Sequence, residues 1–400
     1  MTARGDLRGR GALAALACLL VALLIPSSAS ASATAHVSIV GGRAGTIAEF
    51  PSLVYIEARE GKHGFACSGT VVAPRVVLTA AHCVENIEQG EITPAPAYTI
   101  ATGIADLRKA APENVFHVLA THVFPGFDPG ILHGDAAILI LDRPTAAAPI
   151  PLAGSDDSAL YSGGAEVSLA GWGLTRAGAK EPPPNLRMTT MKVKPPSFCR
   201  QSTHPFYAPY SAAAQVCVLS SDRHSGGCFG DSGGPAIGHR ADGSAVQVGI
   251  TSTGGPACST KTPTVLTRAD FVSTWVGEWI AATESGALPP AVDPSIPLPM
   301  LTRASAEEFA VYTLTGVMGK RFEGARRVLG SCRTTGGNRA RCRVAWIAGA
   351  DVYAANVSPF YVRREETVAW DSHYRIEWAR LKCIRRSAHN RSCPIQSKRG

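Results

Sequence analysis

The chain has 400 residues, 45% of them hydrophobic and 18% charged, with a formal net charge of +8. That apolar content is enough for packed cores, which argues against a disordered chain, and the length leaves room for two or three folding units. The charge is uneven: residues 301–400 hold 19 Lys+Arg against 8 Asp+Glu, while residues 1–300 hold 20 against 23, so the basic character belongs to the C-terminal quarter.

The first segment reads as an export signal. Arg4, Arg8 and Arg10 precede an apolar run over 11–26, and small residues suited to signal peptidase follow it. The run is shorter than the ~20 residues a membrane span needs. Residues 1–35 are therefore expected to be removed, leaving 36–38 as a short propeptide and a soluble, secreted, extracellular product. Eleven cysteines less Cys18 leave ten, an even number that suits disulfides in an exported protein. With no CxxC pair and no HExxH helix, neither a metal site nor a cofactor is expected.

From residue 39 to 284, short runs rich in Val, Ile, Leu and Thr alternate with Gly, Pro and Asp: 70–73, 76–79, 136–141, 166–170 and 246–251. Many short strands with turn signals predict an all-β barrel or sandwich. A helix follows over 268–283, with Val272, Trp275, Val276 and Trp279 on one face. Five prolines within 285–300 mark a stiff linker. Residues 301–400 read as a small α+β module. Ser305 and Glu308 look like a capping box, and Val311, Leu314, Met318 and Phe322 fall on one helix face. Strands follow near 341–347, 350–357 and 374–382, the last alternating Tyr374, Ile376 and Trp378 with polar neighbours.

Three motifs carry chemistry. Gly230-Asp231-Ser232-Gly233-Gly234-Pro235 places a serine in a glycine turn whose N–H groups, from Gly230 and Ser232, can converge on one point. A serine hydroxyl needs a base beside it. Thr79-Ala80-Ala81-His82-Cys83 supplies a histidine at the end of an apolar strand. Asp135, opening the apolar run 136–141, should be buried, and it needs a partner such as imidazolium.

His82, Asp135 and Ser232 in that order, with these motifs, resemble the chymotrypsin/trypsin-like serine proteases, of a secreted actinobacterial type with a C-terminal extension. Ile39-Val40-Gly41-Gly42 matches that family's mature N-terminus, and Gly171-Trp172-Gly173 and Thr251-Ser252 match further landmarks. The resemblance covers 39–284. It implies two six-stranded antiparallel β-barrels with a C-terminal helix and a catalytic triad between the barrels. It implies that Ser252 hydrogen-bonds Asp135, and that Cys67–Cys83, Cys199–Cys217 and Cys228–Cys258 are disulfides, the first worth about 3 kcal/mol. It further implies a zymogen: cleavage before Ile39 frees an amine that pairs with Asp231 and orders the oxyanion turn. The primary specificity pocket would have Gly226 at its base and Gly254 and Thr264 in its walls. Gly226 stands where relatives that cut after Lys or Arg carry Asp, so cleavage after small or medium uncharged residues is expected, with a deep aromatic pocket as the alternative.

Glu85, Glu88 and Glu91 fall where some relatives bind calcium, but a solvated acidic loop is the better reading. In the C-terminal module, sequential pairing Cys332–Cys342 and Cys383–Cys393 is chosen from three connectivities. Its charge suits an anionic cell-wall polymer or acidic surface, or else a solvated, stabilising appendage. No nucleic-acid motif is visible, no stable nucleic-acid partner is expected, and the protein should be a monomer acting on protein or peptide substrates. The competing class is a catalytically weak or inactive homologue that binds surfaces through this module. Such proteins usually lose a triad member, and this chain keeps all three.

Overall fold

The computed structural model describes residues 39–60, 63–87, 91–176, 178–179, 181–202, 210–286, 301, 303–323, 325, 328–364, 367–380 and 396–399. The expected signal peptide and propeptide, nearly all of the proline-rich linker, and the pair Cys383–Cys393 lie outside them.

The first barrel comprises Leu53–Glu60 (β1), His63–Ala73 (β2), Val76–Thr79 (β3), Tyr98–Thr102 (β4), Val115–Val123 (β5) and Ala137–Leu141 (β6), closed in the order β1-β2-β3-β6-β5-β4. β3 is buried at every position and β6 at all but one. Strands covered on both faces read as continuous apolar runs rather than alternating ones. The outer cover is the helix Ala269–Ser285, whose Val272, Val276 and Trp279 join the core of this barrel. Trp275 lies against Phe124, and Trp279 stacks on His122 at 3.7 Å between ring centroids.

The second barrel comprises Glu166–Gly171 (β7), Arg187–Val193 (β8), Gln215–Leu219 (β9), Pro235–His239 (β10), Ala245–Thr253 (β11) and Thr264–Arg268 (β12), ordered β8-β7-β10-β11-β12-β9 and closed by β9 on β8. A two-residue strand, Arg43–Ala44, adds to the outside of β8. Its core includes Ile39, fully buried among Val167, Met191, Val216 and Leu266.

The third part is an antiparallel sheet of Val328–Gly336 (β13), Arg339–Ala348 (β14), Asp351–Arg364 (β15), Thr367–Arg380 (β16) and Gln396–Arg399 (β17), paired in sequence order. The helix Arg303–Met318 covers one face, burying Ala306, Phe309, Ala310 and Leu314 against Val344, Trp346, Tyr353 and Val357. Ser305 is not the helix cap that the sequence suggests: the helix starts two residues earlier and Ser305 is buried inside it. Val311 lies off the buried stripe, at 36% exposure, and Phe322 belongs to a separate short helix, Lys320–Glu323, after the turn at Gly319. β13 and β17 are additional to the three expected strands. Glu85 is another correction. It pairs with Ile92 across a two-residue ladder and is buried, whereas Glu91 alone of the described pair is exposed.

The module meets the protease part at 127–131, the loop that leads to Asp135. Every residue of that loop is buried. Gly130 lies so close to Phe309 that a Cβ there would overlap the ring. Tyr361 donates its hydroxyl to Asp128 Oδ1, which also accepts from the Gly130 amide at 2.9 Å. Burial pushes the Asp128 carboxyl up to about 6 against these donors. Its folded value exceeds its unfolded one, so its contribution to stability is complete below about pH 4 and is lost as the pH rises through about 6. Tyr361→Phe removes the hydroxyl donor and is expected to cost about 1–3 kcal/mol, read as a lower denaturation midpoint at pH 7. An unchanged midpoint would show the contact to be energetically idle.

Candidate active site

His82 sits in a single 3-10 turn, Ala81–Cys83, directly after β3. Cys83 anchors that turn through its disulfide to Cys67 in β2. His82 Nδ1 donates to Asp135 Oδ2 at 2.7 Å, and the His82 amide donates to Asp135 Oδ1 at 3.0 Å. The tautomer that makes the first bond leaves Nε2 as an open acceptor. The ring remains about one-fifth exposed, while Asp135 is completely buried. Both partners of this pair are thus set by β3 and by the segment entering β6, strands that lie side by side.

The second barrel supplies the rest of the carboxylate's shell. Ser252 Oγ, near the end of β11, donates to Asp135 Oδ2 at 2.5 Å. Thr267 Oγ1, in β12, donates to the Asp135 carbonyl at 3.0 Å. Burial alone would raise the Asp135 pKa, but the His82 charge and the His82 and Ser252 hydrogen bonds outweigh it and hold the carboxyl below its ordinary range. Burial disfavours the imidazolium, and the Asp135 charge and hydrogen bond overcome that and hold His82 above its ordinary value.

Ser232 lies three residues before β10 of the second barrel. Its carbonyl accepts from the Ser68 amide at 2.7 Å, and Ser68 Oγ donates to the Gly230 carbonyl at 3.0 Å. Gly230 has φ +97°, a conformation that disfavours any side chain. Gly233, at φ +79°, is pressed so closely on Thr79 and Ser68 that a Cβ would overlap them. That contact sets the serine turn against the strand end carrying His82. Asp231 is buried, accepting from the amides of Gly173 and Cys228, each at 2.9 Å. Burial pushes its carboxyl up to about 7 despite those two donors.

Gly226, Gly227, Gly254 and Thr264 converge beside this turn. Ideal Cβ atoms on Gly226 and Gly227 would lie 4.0 and 3.8 Å from Thr264 Oγ1, and one on Gly254 would lie 3.8 Å from the Gly227 carbonyl. Thr260 Cγ2 would lie 3.7 Å from a Cβ on Gly226. Sequence reasoning missed Thr260, as it missed Ser68 and Thr267; all three act through folded contacts and belong to no motif. The Gly226 amide donates to the Val40 carbonyl at 3.0 Å, so Gly226 is tied to the residue after Ile39.

The structure also joins Cys199 to Cys217, Cys228 to Cys258 and Cys332 to Cys342. Cys67, His82 and Cys83 bring ligand-type atoms together. Both sulfurs are bonded to each other, so neither is a thiolate available to a metal.

Residues 39–276 match the family model named Trypsin. The chain is 30% identical over 200 residues to a trypsin of Saccharopolyspora erythraea, covering 50% of this chain and 81% of that one. It is 28% identical over 241 residues to trypsin alpha-4 of Lucilia cuprina, covering 60% and 86%, and 26% identical over 240 to trypsin delta of Drosophila melanogaster, covering 60% and 87%. With two antiparallel barrels, a histidine–carboxylate pair at their junction and a family match across more than half its length, the chain belongs to the trypsin family and is a serine-type endopeptidase.

Proposed function

We propose that this endopeptidase is secreted and monomeric and cuts after small or medium uncharged residues, using Ser232 as nucleophile, His82 as base and Asp135 as the group that orients and stabilises it. The hydrogen-bond chain from Ser252 through Asp135 to His82, beside the Ser232 turn, carries the reading. In this scheme Ser232 Oγ attacks the peptide carbonyl and gives its proton to His82 Nε2. The amides of Gly230 and Ser232 receive the oxyanion. His82 then returns the proton to the leaving amine, and water repeats the cycle on the acyl-enzyme. A fluorophosphonate probe should label the wild type and not Ser232→Ala. Labelling that survives the substitution would place the nucleophile elsewhere.

The pocket supports the preference. Its base is Gly226, with no carboxylate, and the threonines 260 and 264 reduce its width. Cleavage of a peptide library should occur mainly after Ala, Val, Ser or Leu, and Gly226→Asp should raise cleavage after Lys and Arg by about tenfold or more, the scale of one charge-assisted contact. Wild-type cleavage mainly after Lys or Arg would overturn this.

Activation is proposed to occur by cleavage before Ile39. The residue before the cut is Ser38, which suits an enzyme preferring small residues, this one included. N-terminal sequencing of secreted Ser232→Ala protein tests self-processing: an intact 38–39 bond is expected, and normal processing would exclude it. Four disulfides among the described residues fit an oxidising, extracellular compartment. The basic module is proposed to hold the enzyme at an anionic surface.

A further inference from the structure

The face of the module's sheet opposite the helix carries a specific arrangement of cations. Along β14 the burial alternates residue by residue: Cys342 and Val344 point into the core, while Arg339, Arg341 and Arg343 are exposed. In β13, Arg333 and Ser331 are exposed and stand directly opposite Arg341 and Arg343. Across the next strands Arg343 pairs with Asn356, Asn356 with Arg375, and Arg375 with Arg399. One cross-strand row therefore reads Ser331, Arg343, Asn356, Arg375, Arg399, with Arg333 and Arg341 forming a second row beside it.

Neighbouring strands are about 4.8 Å apart and alternate residues along a strand about 6.7 Å. Like charges directly opposite one another destabilise a sheet, as Arg333 and Arg341 do here. Arg375 has a carboxylate partner in Glu377 at 2.5 Å. Among the described residues, Arg333, Arg341 and Arg343 have none. The small side chains of Ala345 and Ala354 leave a groove of about 590 Å³ beside Arg343 and Asn356. Helix Arg303–Met318 and the contact with the protease part lie on the opposite face, so among the described residues nothing covers this one.

The chemistry of the surface narrows the partner. Guanidinium groups bind phosphate through paired N–H donors and keep their charge at any physiological pH. Bases of single-stranded nucleic acid would need an open aromatic platform. The described rings on this face, Phe360 and His373, lie against each other at 5.2 Å, with Arg339 over Phe360 at 5.0 Å, so neither stands as an open platform. A bilayer would need apolar side chains to insert. Among the described residues, the exposed large hydrophobic ones, Phe65, Leu119, Phe229, Phe271 and Val311, are all on other elements.

We infer that the exposed face of the C-terminal sheet, centred on Arg333, Arg341 and Arg343, is a docking surface for a linear phosphodiester polymer without aromatic bases. It holds the peptidase on such a polymer through multiple phosphate contacts and leaves the active-site cleft unoccupied. The inference is independent of the cleavage preference proposed above.

The test uses the full-length secreted protein and purified poly(glycerol phosphate) as probe. Binding is measured by titration over a range of salt concentrations, for wild type and for the triple variant Arg333→Gln, Arg341→Gln, Arg343→Gln. The wild type should bind. The variant should bind at least tenfold more weakly at low salt, and its slope of log Kd against log salt should fall by about 2, for three lost phosphate contacts on a flexible chain. Hydrolysis of a short peptide substrate should be unchanged, which shows the variant is folded. Equal binding by the variant would overturn the assignment. So would tighter wild-type binding to oligo(dT), or to phosphatidylglycerol vesicles, than to poly(glycerol phosphate) at matched phosphate concentration.

Discussion

Asp135→Asn should lower kcat by about 10⁴-fold, the scale seen when the carboxylate of a serine-protease triad becomes an amide. The reason lies in the donor count. Asp135 accepts from His82 Nδ1, the His82 amide and Ser252 Oγ, through just two oxygens. An amide in that place has one oxygen and one NH₂. If its oxygen keeps the His82 backbone bond, its NH₂ faces Nδ1 and favours the tautomer with the proton on Nε2, where it blocks proton removal from Ser232. If the amide turns over, the His82 amide loses its acceptor instead. Wild-type activity should rise with pH through a histidine titration above the ordinary value, because Asp135 favours the imidazolium and only neutral His82 is a base. In Asp135→Asn that titration should move down. Ser252→Ala should have a smaller effect, about tenfold, since it removes one of three donors while leaving the His82 bonds in place. Steady-state kinetics on a chromogenic peptide across pH 5–9 would measure all of these, and near-wild-type kcat in Asp135→Asn would remove this carboxylate from the mechanism.

The parts of this site that were legible in the sequence are those where chemistry constrains the residue itself. A polar residue opening a continuously apolar strand has to be partnered, and Asp135 is. The glycine turn around Ser232 needs its glycines, because Gly230 has positive φ and Gly233 is pressed against Thr79. The barrels were legible for a related reason: β6 is apolar throughout and β3 at all but Thr79, because barrel core and helix cover both their faces. What stayed hidden is contact between distant segments made by ordinary residues. Ser68, Thr267 and Thr260 are separated from the motifs they support and have no periodic signature. Glu85 looked solvated because a two-residue ladder is too short to pattern. β17 is exposed at every position, so no apolar alternation announces it. The docking of Tyr361 on Asp128 joins residues 233 apart in sequence. Two partners so far apart are found only once the chain is folded.

Cleavage before Ile39 should raise kcat/KM by roughly 10²- to 10⁴-fold, which corresponds to the 3–5 kcal/mol at stake in a buried ion pair. In the full-length chain the Ile39 nitrogen is part of a peptide bond and carries no charge. Asp231 is then a buried carboxyl with two amide donors and a pKa pushed up to about 7. A folded value above the unfolded one means stability that is complete below about pH 4 and is lost as the pH rises through about 7. The gap corresponds to roughly 4 kcal/mol. A freed α-amine that reached this carboxyl would reverse the sign. The ion pair would hold Asp231 ionised, and its contribution would then be present above about pH 4 and lost on acidification. Denaturant midpoints of Ser232→Ala protein at pH 5 and pH 8, uncut and cut before Ile39, make the comparison without self-digestion. Both forms lose the Asp128 contribution in this range, so the uncut form should weaken by clearly more than the cut form, the difference being the Asp231 part. Asp231→Asn should reduce the fall of the uncut profile to the Asp128 part and keep the cut protein inactive, since the amide cannot pair with the new ammonium. Parallel pH profiles for the uncut and cut forms would show that the Ile39 amine does not reach Asp231, and the switch would have to be sought in the Val40–Gly226 contact instead.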